Sequence, residues 1–210
     1  MMQYYEVCVI GSGVAGLATA KQLVRDEGLP LDEVIVVDDS SSVGGVWNRA
    51  DRLIKEDSEG CSSSGSPVYD DLTTNLPKDL MAFSDFRYPI ESDHYPSHTT
   101  VLKYLESYAE KFIPKCCFRM NTSVDRVRKS SSGDRWEVTC SDQDMKLTVI
   151  EARHVVVCTG HYRFPFVPSF KSSPCHDSRI RRIHSSSFRT PSEYTKYKHI
   201  LVIGSRASSK

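Results

Sequence analysis

The sequence predicts an α/β fold: a parallel sheet with a crossover helix, a small antiparallel β meander attached to it, and the first strand of a second unit of the same kind. Three observations carry this prediction. The apolar run Val7 to Ile10 enters Gly11-Ser12-Gly13-Val14-Ala15-Gly16 and then a stretch with apolar residues at helical spacing. A second buried run, "EVIVVDD" from Glu33 to Asp39, follows at once. Near the other end, "HILVIGS" from His199 to Ser205 repeats the opening strand and its turn.

In chain order, residues 5–10 read as strand, and Leu17, Ala20, Leu23 and Val24 as one helix face ending near Gly28-Leu29-Pro30. Strand, glycine turn, helix and strand form a βαβ unit, whose right-handed crossover makes the two strands parallel neighbours. "DSEGCSSSGSP", Asp57 to Pro67, reads as a surface loop. A second helix is expected from His98 to Phe112, with Val101, Leu102, Leu105, Tyr108, Ala109 and Phe112 on one face. "CCFRMNTSVDRVRK", "RWEVTCSD" and "MKLTVIEA" read as a meander of three strands, and "HVVVCTG", His154 to Gly160, as a separate buried parallel strand. Residues 161–197 carry little periodicity, after which "KHILVIGS" begins another buried strand. The expected division is a first domain over 1–168 and, over 169–210, a connection and the start of a second.

Composition is that of an ordinary globular protein. The 210 residues balance 27 basic against 27 acidic groups, a net charge that calls for neither nucleic acid nor an anionic membrane surface, although Lys171 to Lys210 is locally basic. No run of about 18 apolar residues occurs, and the N-terminus has no secretory pattern. Seven cysteines, an odd number without a Cys-x-x-Cys pair or a His at zinc-ligand spacing, fit reduced thiols in the cytoplasm and no metal site.

The glycines define the first candidate site. Gly11 allows a sharp turn, Gly13 leaves room for a pyrophosphate, and Gly16 allows close packing of the helix, whose N-terminus offers free N–H groups to phosphate. Asp38, 22 residues beyond Gly16 at the end of the second strand, can accept hydrogen bonds from a ribose. The turn is therefore that of a Rossmann-like dinucleotide site, open at this point to either FAD or NAD.

The following residues are more specific. Gly44-Gly45-Val46-Trp47 comes directly after the acid, "VYDDLTTNLPKDLMAFSDFRYP" spans Val68 to Pro89, and "VVVCTGHYRFPFVP" spans Val155 to Pro168. In this order the motifs resemble the flavin-containing monooxygenase family, and the resemblance runs from residue 5 to residue 209. It implies an enzyme that uses NADPH to reduce FAD, binds molecular oxygen as a flavin hydroperoxide, and passes one oxygen atom to an amine or sulfide. By position it implies pyrophosphate at Gly11 to Gly16, adenosine ribose at Asp38 and the flavin side of FAD at Val46 and Trp47. Asn75, flanked by Thr74 and Leu76, falls on the asparagine placed beside the reactive part of the flavin.

Two departures stand out. The family's Phe-x-Gly-x-x-x-His-x-x-x-Phe falls on Ser178 to Phe188, where His184 and Phe188 match but Ser178 and Ile180 do not. The second nucleotide turn, Gly204-Ser205-Arg206-Ala207-Ser208-Ser209, keeps only its first glycine, and Arg206 places a long side chain where NADPH pyrophosphate approaches, although its guanidinium can also lie against a phosphate. By the resemblance the sequence is expected to be the N-terminal part of a longer enzyme. The rival expectation is a product that binds FAD or a partner without turnover. An NAD-dependent dehydrogenase would leave the Gly-Gly-x-Trp and Thr-Asn segments without a role.

Overall fold

The computed structural model of the chain describes residues 3–49, 55–56, 62–63, 66–161, 166 and 180–204. Its strands are β1 (Gln3–Ile10), β2 (Val34–Val37), β3 (Lys55–Glu56), β4 (Ser62–Ser63), β5 (Phe118–Arg119), β6 (Thr122–Lys129), β7 (Trp136–Asp142) and β8 (Leu147–Val157). Its α-helices are α1 (Val14–Lys21), α2 (Lys78–Met81) and α3 (His98–Phe112). Six strands make one sheet in the order β5-β2-β1-β8-β7-β6, and β3 pairs with β4 separately.

Period-2 alternation in β1 and β2 builds two cores from two short strands. Val7, Val9, Val34 and Val36 face α1 and α3, where they join Leu17, Ala20, Val101, Leu105 and Tyr108. Cys8, Ile10, Ile35 and Val37 face the other way and meet Val138, Cys140, Ile150 and Ala152 of the meander. The parallel strands are thus buried on both faces, which is why their sequence is continuously apolar.

β1 and β2 are parallel neighbours, as the βαβ reading requires, with Val7 opposite Val34 and Ile10 opposite Val37. α1 continues into a π-helical turn over Gln22–Asp26, and the chain leaves it through Gly28 at φ +67 with Leu29 N–H donating to Leu23 O at 3.1 Å. α3 has the expected bounds, and Ser97 caps it by accepting from Thr100 N.

Four sequence expectations change. "MKLTVIEA" and "HVVVCTG" are one strand, β8, whose register runs Gln3↔Ile150 to Ile10↔Val157 against β1 and Trp136↔Ala152 to Ser141↔Leu147 against β7. Arg153 and His154 are both exposed, and the register against β1 continues across them from Tyr5↔Ala152 to Val7↔His154. "CCFRMNTSVDRVRK" is instead two strands, because Asn121 takes a left-handed conformation, φ 54, between β5 and β6. β5 extends the parallel edge beside β2, and β6 closes the antiparallel edge. The loop after Trp47 includes the two-residue pair β3–β4.

The fourth change concerns "KHILVIGS". Ile200, Leu201, Val202 and Ile203 are 64, 85, 61 and 71% exposed and form no strand. A strand needs a partner for its backbone groups, and among the described residues none lies beside this run.

Candidate functional site

The two glycine motifs come together at the C-terminal ends of β1 and β2. Gly11 N–H donates to Val37 O at 2.8 Å, and Gly44 N–H donates to Ser12 O at 3.1 Å. This bond lays Gly45 against Gly13. A Cβ on Gly45 would stand 2.8 Å from the Gly13 Cα, and Gly45 itself has φ +57. On the far side, a Cβ on Gly44 would meet Leu102 Cδ1 of α3 at 2.5 Å. The Gly-Gly pair is therefore wedged between the first turn and α3, and at Gly45, whose neighbour is backbone, a side chain fits only if Gly13 is displaced.

Helix packing explains the remaining glycines of the turn. A Cβ on Gly16 would lie 1.8 Å from Gly11 O, and one on Gly11 would lie 2.4 Å from Cys158 O at the end of β8. The first turn of α1 opens outward: Val14 and Ala15 are exposed, Gly13 is an N-cap with no side-chain hydrogen bond, and no acidic residue stands in that turn. The leading N–H groups of a helix and its dipole favour an anion at such an end.

Asp38 is 6% exposed. Its Oδ2 accepts from Ser12 N at 2.6 Å and from Ser12 Oγ at 2.8 Å, and its Oδ1 accepts from Ser40 N at 2.9 Å. Burial pushes its pKa upward, but the hydrogen bonds from Ser40 and Ser12 outweigh that cost and hold the carboxyl below the ordinary aspartate range. The carboxylate stays charged at neutral pH and fixes the second residue of the turn. Ser40 is 4% exposed, and its hydroxyl has no hydrogen-bond partner, although it lies close enough to help hold the Asp38 charge.

Val46 and Trp47 follow the Gly-Gly pair in a 3₁₀ turn, Gly45–Trp47. Both are half-buried, and Trp47 packs against the core that β1 shares with α3. Asn48, 2% exposed, closes the loop with Nδ2 donating to Ser42 O at 3.2 Å and to Ser42 Oγ at 2.7 Å.

Thr74, Asn75 and Leu76 lie on a separate turn. Thr74 is buried, with Oγ1 donating to Leu76 O at 2.8 Å, while Asn75 and Leu76 are exposed. The segment leading into α3 holds this turn from both sides: Thr74 N–H donates to Pro96 O at 3.0 Å and Lys78 N–H to His94 O at 2.8 Å. Lys78 Nζ donates to Pro89 O, Ile90 O and Ser92 O at 3.1, 3.0 and 2.6 Å. Tyr104 of α3 adds a second clasp, its hydroxyl accepting from Phe83 N and donating to Phe86 O, both at 2.7 Å. Sequence spacing missed Ser40, Asn48, Lys78 and Tyr104, since each acts through a partner brought near only by folding.

His184 and Phe188, the matching half of the family pattern, flank the 3₁₀ turn Ser185–Ser187. His184 Nδ1 accepts from Ser186 N at 3.1 Å, and Phe188 meets Tyr69 edge to face at 5.6 Å. Gly204 has φ +135. Ser205, Arg206, Ala207, Ser208 and Ser178 lie outside the described residues. Among the described residues no cluster of His, Cys, Asp or Glu could hold a metal ion, and no helix is long and apolar enough to cross a membrane.

A parallel sheet with a glycine turn opening its first helix and an acid ending its second strand defines a Rossmann-like dinucleotide-binding protein. The flavin-binding monooxygenase-like family model matches residues 5–210, and the chain belongs to that family. A flavin-containing monooxygenase of Arabidopsis thaliana, FMO GS-OX-like 4, is 32% identical over 98% of this chain and 47% of its own. The structure of S-allyl-L-cysteine S-oxygenase from Allium sativum matches with a TM-score of 0.74 at 30% identity, over 91% of this chain and 44% of that one. A steroid monooxygenase bound to NADP matches with a TM-score of 0.58 at 25% identity, over 80% and 28%. The chain thus spans less than half the length of the curated relatives and solved structures it resembles.

Proposed function

We propose that the chain supplies the FAD-holding part of a flavin monooxygenase that uses NADPH and oxygenates a soft nucleophile, an amine or a sulfide. The single observation that carries this reading is the contact of Gly44-Gly45 with the Gly11–Gly16 turn beside the open end of α1. Its residues fit FAD. The first turn of α1 carries no acidic residue and no side-chain cap, Asp38 has a lone pair left on Oδ1, and the Ser40 hydroxyl is buried without a hydrogen-bond partner. When bound, FAD would supply the redox and oxygen chemistry.

The protein's part is to bind and to orient. Gly11 to Gly16 would hold the pyrophosphate, Asp38 the adenosine ribose, and Val46 with Trp47 the flavin half. Asn75, on a turn braced by Lys78 and the 94–98 segment, would offer its amide to the flavin or to the ribose of NADPH. Gly204 to Ser208 would form the NADPH turn. A sulfide substrate draws support from the name of the garlic S-oxygenase, which this chain resembles over most of its length.

A second reading, FAD binding without turnover, is favoured by the exposed run Ile200–Ile203 ahead of the second turn, which pairs with no strand among the described residues. The visible spectrum of the 210-residue chain incubated with FAD and desalted tests both. Retained flavin absorbance is expected, and a colourless protein overturns FAD binding. Bleaching of that absorbance by NADPH without air supports the first reading; an unchanged spectrum leaves the second.

A further inference from the structure

We infer that Ser131, at the tip of the β6–β7 hairpin, is a phosphorylation site for a serine kinase with an acidic peptide groove. The inference stands apart from the FAD reading, since β6 is an edge strand, with β8 and β7 between it and β1. Ser130, Ser131 and Ser132 open the turn, and their hydroxyls are not equivalent. Ser130 Oγ accepts from Arg135 N at 3.3 Å and donates to Asp134 Oδ1 at 3.4 Å, while Ser132 Oγ donates to the same carboxylate oxygen. The two hydroxyls lie 3.0 Å apart. Ser131 is exposed, and among the described residues its hydroxyl has no hydrogen-bond partner. The tip is also open at Gly133, where a Cβ would meet nothing within 4 Å. Ser131 can therefore enter another protein's active site without giving up a hydrogen bond, and its two neighbours cannot.

The strand before the turn supplies the recognition. Arg126, Arg128 and Lys129 stand five, three and two residues ahead of Ser131, and all three are exposed. β6 is already extended, as a peptide in a kinase groove must be, and it pairs only with β7 among the described residues. Its outer row of N–H and C=O groups is open to a partner backbone. Arg126 has no ion pair among the described residues. Arg128 Nη2 lies 2.6 Å from Glu137 Oε2, but its side chain stays 59% exposed, and a pair so exposed contributes little. Its guanidinium can exchange Glu137 for a carboxylate of the kinase, and such charge-assisted bonds select the partner. Lys129 Nζ rests over the Trp136 ring at 5.5 Å. Ser185 follows Arg182 at the same spacing, yet it begins a 3₁₀ turn and no strand leads to it. Spacing treats the two serines alike; the fold favours Ser131.

In the transfer, Ser131 Oγ attacks the γ-phosphorus of Mg-ATP and the bond from that phosphorus to the β–γ bridging oxygen breaks. ADP leaves, and the hydroxyl proton passes to the carboxylate base of the kinase. The product carries about 1.5–2 negative charges at the tip, which Arg128 and Lys129 partly offset. The test incubates the folded 210-residue chain with Mg-ATP and the catalytic subunit of cyclic-AMP-dependent protein kinase, which selects arginine ahead of serine. Peptide mass analysis over time locates the phosphate. Ser131 should be modified ahead of Ser185, and the hairpin peptide should carry one phosphate. Ser131→Ala should abolish modification of that peptide, whereas Ser130→Ala and Ser132→Ala should retain it. Arg126→Ala and Arg128→Ala should each slow modification of Ser131 about three- to tenfold, with melting within about 2 °C of the parent. Ser131 left unmodified, phosphate on Ser130 or Ser132 instead, Ser185 modified first, or an unchanged rate in both arginine variants would each overturn the inference.

Discussion

Replacing Gly45 by alanine tests the contact between the two glycine motifs, and Gly28 supplies the control. Both glycines have left-handed backbones, φ +57 and φ +67. A side chain in that conformation costs roughly 1–2 kcal/mol at either position. They differ in what surrounds them: an alanine Cβ at Gly28 meets nothing within 4 Å, whereas at Gly45 it stands 2.8 Å from the Gly13 Cα and 3.5 Å from Gly13 N. Those neighbours are backbone and cannot rotate away, so overpacking adds about 1–3 kcal/mol. Gly28→Ala should therefore lower the melting temperature by a few degrees and leave FAD affinity alone. Gly45→Ala should lower it further, by about 2–4 °C for each additional kcal/mol, and should weaken FAD binding because Gly13 is displaced. Thermal denaturation and flavin fluorescence titration of the three proteins read both effects. Equal melting losses with unchanged FAD affinity in Gly45→Ala would refute the wedge as the element that shapes the site.

Two further outcomes follow from groups away from the turn. Lys78→Met removes the donor of three carbonyls in the 89–92 turn, and hydrogen exchange within 83–96 should rise while that of β1 stays unchanged; uniform exchange across both segments would remove Lys78 from its role as clasp. Burial pushes the thiols of Cys8, Cys117 and Cys140 up to about 12, 11 and 11 from an ordinary 9.0. Their neutral forms favour the folded state, so this stability is complete below pH 9 and is lost as pH rises from 9 towards those values. Urea unfolding at pH 7.5, 9 and 10 should show stability declining slightly to pH 9 and more steeply beyond it, and labelling at pH 8 followed by peptide mass analysis should mark exposed Cys116 ahead of these three. Early labelling of Cys8 or Cys140 would contradict their burial.

The βαβ unit was legible because its two strands are buried on both faces, which forces continuous apolar runs, and because a Cβ on Gly16 would strike Gly11 O only five residues away, whereas Gly11 and Gly13 are held against Cys158 and Gly45, far along the chain. α3 was legible for a similar reason, as its buried face repeats at helical spacing. Tyr104, a buried member of that face, was not read onto it, and its role as clasp depends on the backbone of Phe83 and Phe86, which only folding brings to its hydroxyl. β8 was read as two strands, since its start pairs with β7 and its end with β1, and only folding shows one strand serving both. The split at Asn121 depended on one backbone angle. The bond from Ser12 to Asp38 joins two short side chains 26 residues apart, and neither residue type announces which partner its oxygen will take.

β8 also sets the order in which the molecule can be completed during synthesis. β1 lies inside the sheet between β2 and β8, and its register joins Gln3 to Ile150 and Val7 to His154. β2 reaches β1 soon after both leave the ribosome, but the other edge of β1 must wait for the far end of the meander. At about 5–20 residues per second, that delay is roughly 7–30 s. For this interval the strand that carries the glycine turn has an open row of N–H and C=O groups and an uncovered Cys8–Ile10 face. Edges of this kind are where a nascent chain meets chaperones or pairs with the wrong partner. The strand that gives the site its rigidity in the finished protein is thus the one whose late arrival leaves the site unformed for longest.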